Sequence, residues 1–227
     1  MKITLRILLL MTICLFYAQP AFSIDLGAVG VSKPVKNFKQ IKNQYVIRQT
    51  LDYSCGPAAL ATLLSYYFQD KVTEDQIIKA LIVTSDLEKV KRRKGFSLLD
   101  LKNFAKLRGY EVVGYRMDLE YLASFNKPVL VPIDIKDYSH FVIFRGLKGD
   151  RVFLSDPALG KMTMKSEKFL RLWSSGVGLV LSKSGKVVRN TPLNLTAEEK
   201  AVFADPALVR KIFGVDPVGM VHGDGEF

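Results

Sequence analysis

Cysteine, histidine and tryptophan are all scarce in this 227-residue chain, which has two cysteines, two histidines and one tryptophan. Cys14 falls inside the apolar N-terminal run, so beyond that run Cys55 stands alone and a disulfide framework is excluded. So few cysteines and histidines also leave no metal-ligand spacing, and no glycine-rich phosphate loop or nucleotide motif is present, so no cofactor is expected. Acid is short as well. Thirty-three lysines and arginines face 22 aspartates and glutamates, a formal net charge of +11, yet apart from the run Lys89-Val90-Lys91-Arg92-Arg93-Lys94 many of the basic residues are spread along the chain. No nucleic-acid motif accompanies them, so they read as a solvated basic surface with no nucleic-acid partner.

Long apolar runs are missing too. The longest follows Lys2 and Arg6, covers residues 7–18 and is followed by Gln19-Pro20-Ala21-Phe22-Ser23. A bilayer needs roughly 20 apolar residues, whereas a charged start, a short apolar run and the small residues Ala21 and Ser23 suit a signal peptide. Residues 1–23 are therefore expected to be removed, giving an exported protein, periplasmic or secreted, with no integral membrane span after cleavage. An envelope or secretion-system partner would be met in that compartment.

What remains is enough for one domain. Residues 24–44 read as an N-terminal arm, 45–181 as the domain, and 182–227 as a C-terminal extension that packs on the domain or stays loose. Within the domain, residues 45–49 are strand-like and 57–68 read as a helix apolar around nearly its whole circumference, hence buried. Thr73 with Gln76 and Ser97 with Asp100 have capping-box spacing ahead of two more helices, the second ending at Gly109. Beyond Gly109 the period changes. Strands are expected over 110–117, 129–135, 140–147, 151–155, 162–164 and 177–181, with a helix over 166–173. Helices first and antiparallel strands second make an α+β fold, two lobes meeting at a cleft.

The chemistry centres on Cys55, which sits immediately before the buried helix. Unpaired backbone N–H groups and the positive end of the helix dipole stabilise a thiolate there. Gly56 reads as a clearing that lets a substrate carbonyl approach those donors. A thiolate needs a proton carrier for the leaving amine. Of the two histidines, His222 lies in a polar glycine-rich tail, whereas His140 opens the apolar run Phe141-Val142-Ile143-Phe144. A turn at Lys148-Gly149-Asp150 would place Leu147 opposite Arg151 and Asp156 opposite Val142, one diagonal step from His140. Asp156 could equally cap the turn before Pro157, and Asp134 and Asp137 compete for the orienting role. Gln49 stands six residues before Cys55, where its amide could stabilise an oxyanion.

Together these blocks, Gln49-(five residues)-Cys55-Gly56-Pro57-Ala58-Ala59-Leu60, His140-Phe141-Val142-Ile143 and Ser155-Asp156-Pro157-Ala158-Leu159-Gly160, resemble the bacteriocin-processing, double-glycine leader peptidases. These form family thirty-nine of the cysteine peptidases. The resemblance covers about Ile47 to Leu181. It implies a papain-like fold, Cys55 as nucleophile, His140 as general base and acid, Asp156 as the orienting acid and Gln49 as the oxyanion residue. The partner would be a peptide or protein substrate in an extended conformation. Many members are the N-terminal domain of a membrane exporter with an acidic residue before the cysteine; here that residue is Ser54 and a signal peptide precedes the domain, which suggests a separate exported branch. The expected activity is hydrolysis of a peptide bond through a thioacyl intermediate, the competitors being acyl transfer to an amine and a non-catalytic peptide-binding or assembly factor of the same fold.

Overall fold

The computed structural model describes residues 37–136, 138–185 and 188–202. The expected signal segment, Asp137 and His222 lie outside the described residues. A short helix α1 (Phe38–Asn43) opens the described chain, closed at its start by reciprocal bonds between Asn37 and Gln40. Four helices follow, α2 (Cys55–Tyr66), α3 (Glu74–Thr84), α4 (Leu87–Arg93) and α5 (Leu98–Leu107). Then come β1 (Glu111–Arg116), α6 (Leu119–Ser124), β2 (Val129–Ile135), β3 (Tyr138–Lys148), β4 (Arg151–Asp156), β5 (Gly160–Lys165), α7 (Ser166–Leu172), β6 (Val177–Ser182) and α8 (Ala197–Val202).

The two capping boxes form as the spacing predicts: Thr73 with Gln76 starts α3, and Ser97 with Asp100 starts α5. Gly109 ends α5 in a left-handed conformation, with φ of 80°. Residues 55–64 of α2 are all buried. This follows from the all-round alanine and leucine surface, which lets sheet and helices close on every side of it.

All strand pairs are antiparallel, in the order β1-β6-β2-β3-β4-β5. Both faces of the sheet are covered. Leu130, Phe141, Ile143 and Leu179 share one core with α2, α3 and α5, while Val131, Ile133, Val142 and Phe144 pack with Leu122, Phe169 and Trp173 on the other face. That double burial is why β2 and β3 read as unbroken apolar runs.

Three sequence expectations need correction. Residues 45–49 form no strand; they run beside the chain after β4, where the Gln49 N–H donates to the Pro157 carbonyl at 3.0 Å. The arm ends in α1 and the basic run in α4, two helices of six and seven residues that, with α6, were not foreseen. No residue of α4 is buried, so no apolar period announced it. The third correction concerns the hairpin. Its turn has two residues, Gly149 and Asp150, so Lys148 pairs with Arg151 and Leu147 with Val152. A bulge between Phe144 and Gly146 then shifts the register by one, pairing Phe144 with Leu154 and Ile143 with Ser155. One step further Asp156 stands opposite Val142, the expected place reached by a different route.

Candidate active site

Helix α2 packs against β3 and brings its first residue to the start of that strand. Cys55, His140 and Asp156 are buried together, each no more than 3% exposed. The Ser54 side chain makes no cap bond to α2; its hydroxyl instead donates to the Leu51 carbonyl at 2.8 Å and accepts the Leu51 N–H at 3.1 Å. Pro57 has no N–H to offer. The start of α2 therefore keeps backbone donors beside Cys55 without a side-chain cap, which is what an oxyanion needs.

His140 Nε2 lies 2.9 Å from Asp156 Oδ1. That same oxygen accepts the Ala158 N–H at 2.6 Å and the Leu159 N–H at 3.1 Å, so Asp156 both caps its turn and orients the ring. His140 Nδ1 is buried, with no oxygen or nitrogen partner among the described residues. Burial alone would hold the imidazole neutral, but the Asp156 carboxylate and the Cys55 sulfur outweigh it and push the His140 pKa up to about 9. A carboxylate on Nε2 and a sulfur acting on the same ring make a histidine able to hold a proton and release it later.

Asp134 is not a rival for this role. It accepts from Ser139 Oγ at 3.0 Å and from Ser174 Oγ, and its ladder partner is Ser139. Gln49 is brought to the loop ahead of Cys55, but its amide donates to the Leu51 carbonyl at 3.0 Å and the Asp52 carbonyl at 3.4 Å. Its Oε1 is buried without a partner. Gly56 is explained otherwise than expected: a Cβ there would lie 3.1 Å from both Leu101 Cδ1 and Phe141 Cδ2, so the missing side chain lets α2 close on β3 and α5. Internal packing alone is enough to require a glycine there.

Residues without a sequence signal complete the surroundings. Glu74, the first residue of α3, is buried and accepts from Thr50 N at 3.0 Å and Thr50 Oγ1 at 2.8 Å, which pins the loop between Gln49 and Cys55. Tyr138 faces His140 edge-on, with centroids 6.1 Å apart, and its phenol is pushed up by burial and then by the charges of Cys55, Asp156 and Asp52. Gly160 has φ of 85°, and a Cβ on it would meet the Lys42 carbonyl at 2.6 Å, so α1 buttresses the Asp156 turn. A groove of about 440 Å3 is lined by Arg93, Phe96, Pro132, Tyr138 and Phe141; neither Cys55 nor His140 lines it, but Tyr138 packs edge-on against the His140 ring. Glu74 and Lys42 are distant in sequence from the residues they support and carry no spacing rule that could have found them, whereas Tyr138 and Gly160 lie within four positions of His140 and Asp156.

Residues 43–186 match the model of the peptidase C39 family, and the chain belongs to that family. It is a cysteine peptidase, a hydrolase. The chain is 32% identical over 202 residues to the "Probable functional amyloid protease FapD" of Pseudomonas fluorescens, covering 88% of this chain and 89% of that one. Among solved structures, a double glycine motif protease from an AMS/PCAT transporter, crystallised in complex with the leader peptide, has a TM-score of 0.51 at 29% identity, covering 61% of this chain and 91% of that one. The peptidase domain of Streptococcus ComA has a TM-score of 0.53 at 20% identity, covers 61% of this chain and 98% of that one, and bears on the fold alone. No helix among the described residues is long and apolar enough to cross a membrane.

Proposed function

We propose that this peptidase is exported and cleaves an extended segment of a protein substrate through Cys55, His140 and Asp156. The observation that carries the reading is the buried imidazole held by Asp156 on Nε2 with the Cys55 sulfur acting on the same ring. The Cys55 sulfur attacks the scissile carbonyl, the oxyanion is held by the uncapped start of α2 with Gln49, and His140 delivers its proton to the leaving amine. Water, activated by the same imidazole, then releases the acyl group. Asp156 fixes the ring and stabilises its cationic form.

The groove beside Tyr138 and Phe141 receives the substrate chain. Kinship to a probable functional amyloid protease over most of the chain supports a substrate of that kind, a component of an amyloid-forming system. The relative crystallised with its leader peptide supports recognition of an extended segment. Export rests on the N-terminal residues: a segment 1–23 that is removed, an arm over 24–44, a peptidase domain over 45–181 and an extension over 182–227. N-terminal sequencing of the protein recovered outside the cytoplasm should begin at Ile24, and an intact Met1 there would refute the processing.

The catalytic assignment is tested by incubating wild type, Cys55→Ala and His140→Ala with amyloid-forming proteins of the same cell and reading new termini by mass spectrometry. Cleavage should require both residues. Wild-type rates in His140→Ala would remove the mechanism.

A further inference from the structure

We propose that Arg145, clasped by the C-terminal segment 191–199, is a positioning residue that keeps Asp156 on the same face of the hairpin as His140. The proposal rests on the triad reading above. With a two-residue turn, an unbroken ladder would carry the Lys148–Arg151 register onward and set Asp156 opposite Ile143, whose side chain faces the α2 core. Only the register shift at Arg145 moves Asp156 opposite Val142, on the face that His140 shares through its pairing with Ile133. Arg145 is the extra residue.

An extra residue stays out of a ladder only if something holds it there. The side chain of Arg145 is 1% exposed, and each guanidinium nitrogen is engaged. Nε donates to the Leu193 carbonyl at 3.0 Å, Nη2 to the Asn194 carbonyl at 3.1 Å, and Nη1 and Nη2 each to a Glu199 oxygen at 2.7 Å. Leu195 seals the other side of the bulge, since a Cβ on Gly146 would lie 2.9 Å from its Cδ1. The clasp is itself built. Thr191 and Asn194 close a turn, fully buried Leu193 plugs into the α2 core, and Thr196 with Glu199 forms the reciprocal bonds that start α8. Lys161 of β5, the ladder partner of Ser155, reaches Glu199 at 3.8 Å and ties the clasp to the strand beside Asp156.

A buried guanidinium deprived of its carboxylate must find solvent, and Arg145 can do so by leaving the bulge. The ladder then relaxes toward the unbulged register, and Asp156 turns away from His140. Misplacement by an ångström is enough to cost on the order of 10²-fold in rate.

The experiment uses the full chain with Glu199→Gln and Arg145→Lys, the second retaining a cation for Glu199 but losing the fork that holds both carbonyls. Asp70→Asn, which breaks the Arg108–Tyr110 network away from the site, serves as a control for loss of stability alone. Expected are a kcat lowered about 10- to 100-fold with KM little changed, a downward move of the alkaline limb of the rate, and loss of the low-field proton signal of the His140–Asp156 bond. Arg145→Lys should lie between Glu199→Gln and wild type, and Asp70→Asn should lower Tm and leave kcat alone. Wild-type kcat and alkaline limb in folded Glu199→Gln and Arg145→Lys would overturn the proposal, and so would failure of both to fold, since the clasp would then be a requirement of the fold alone. Activity retained in His140→Ala would instead refute the triad, so the two failures are distinguishable.

Discussion

The two halves of the candidate site are held to different standards of order. On the hairpin side one oxygen of Asp156 binds the ring and two backbone N–H groups, and the pair is almost fully buried. On the loop side Gln49 spends its amide on the Leu51 and Asp52 carbonyls, and Leu51 and Tyr53 are 58% and 50% exposed. The His140–Asp156 half is thus preorganised, while under the proposed mechanism the Gln49 half gives up loop contacts when a substrate carbonyl arrives. Catalytic bonds that tighten only on the substrate are common in free enzymes.

The largest break in this comparison is loss of the reacting pair. Cys55→Ala and His140→Ala should each abolish turnover, and the double variant should be no worse, because the two act as one unit; single-turnover product formation in all three checks this, and additive losses would contradict it.

Asp156 comes next. Asp156→Asn can keep the three bonds of Oδ1 with its amide oxygen, so Tm should fall only by the share that the charge contributes, while kcat falls on the order of 10²- to 10⁴-fold. Asp156→Ala leaves buried donors unpaired, each costing about 1–3 kcal/mol, and should lower Tm as well. Thermal melts beside initial rates separate the two, and equal melting of Asn and Ala variants would refute the single-oxygen account.

The same charge sets a pH limit. His140 is raised from its ordinary value to about 9, so the protonated ring favours the fold. Its contribution to stability is complete below about pH 6.5 and is lost as pH rises through about 9, and activity that needs the imidazolium falls over the same alkaline window. In Asp156→Asn the limb should move down. A rate profile flat to pH 10 would show that the charged ring is not used.

The loop half should prove softer. Gln49→Ala should lower kcat by about 10²-fold with little change in KM, since its donor matters only once the loop has opened to an oxyanion. Affinity for a peptide aldehyde, which forms a tetrahedral adduct, should fall in parallel; an unchanged aldehyde affinity would leave Gln49 as a loop brace. Smallest is Gly56→Ala, where Leu101 and Phe141 must yield to a methyl group. A cost of about 1–3 kcal/mol in urea unfolding is expected, with substrate affinity unchanged.

The sequence by itself determined what depends on neighbours along the chain. The buried helix after Cys55, the boxes at Thr73 and Ser97, and the β2 limits follow from local pattern, because capping and apolar period need only a few adjacent residues. Cys55, His140 and Asp156 stood out as candidates in the sequence and the structure brings them together, whereas the loop bonds of Gln49 had no sequence signal. Helix α4 stayed hidden because it buries nothing. Tertiary structure alone decided the register: a turn one residue shorter than expected and a bulge one residue long cancel, and the bulge is held by a glutamate 54 positions further on. It also decided why Gly56 is glycine, since only the approach of Leu101 and Phe141 from two other elements leaves no room there. Pairing parity and close approach depend on contacts far apart in sequence, and no local spacing carries them.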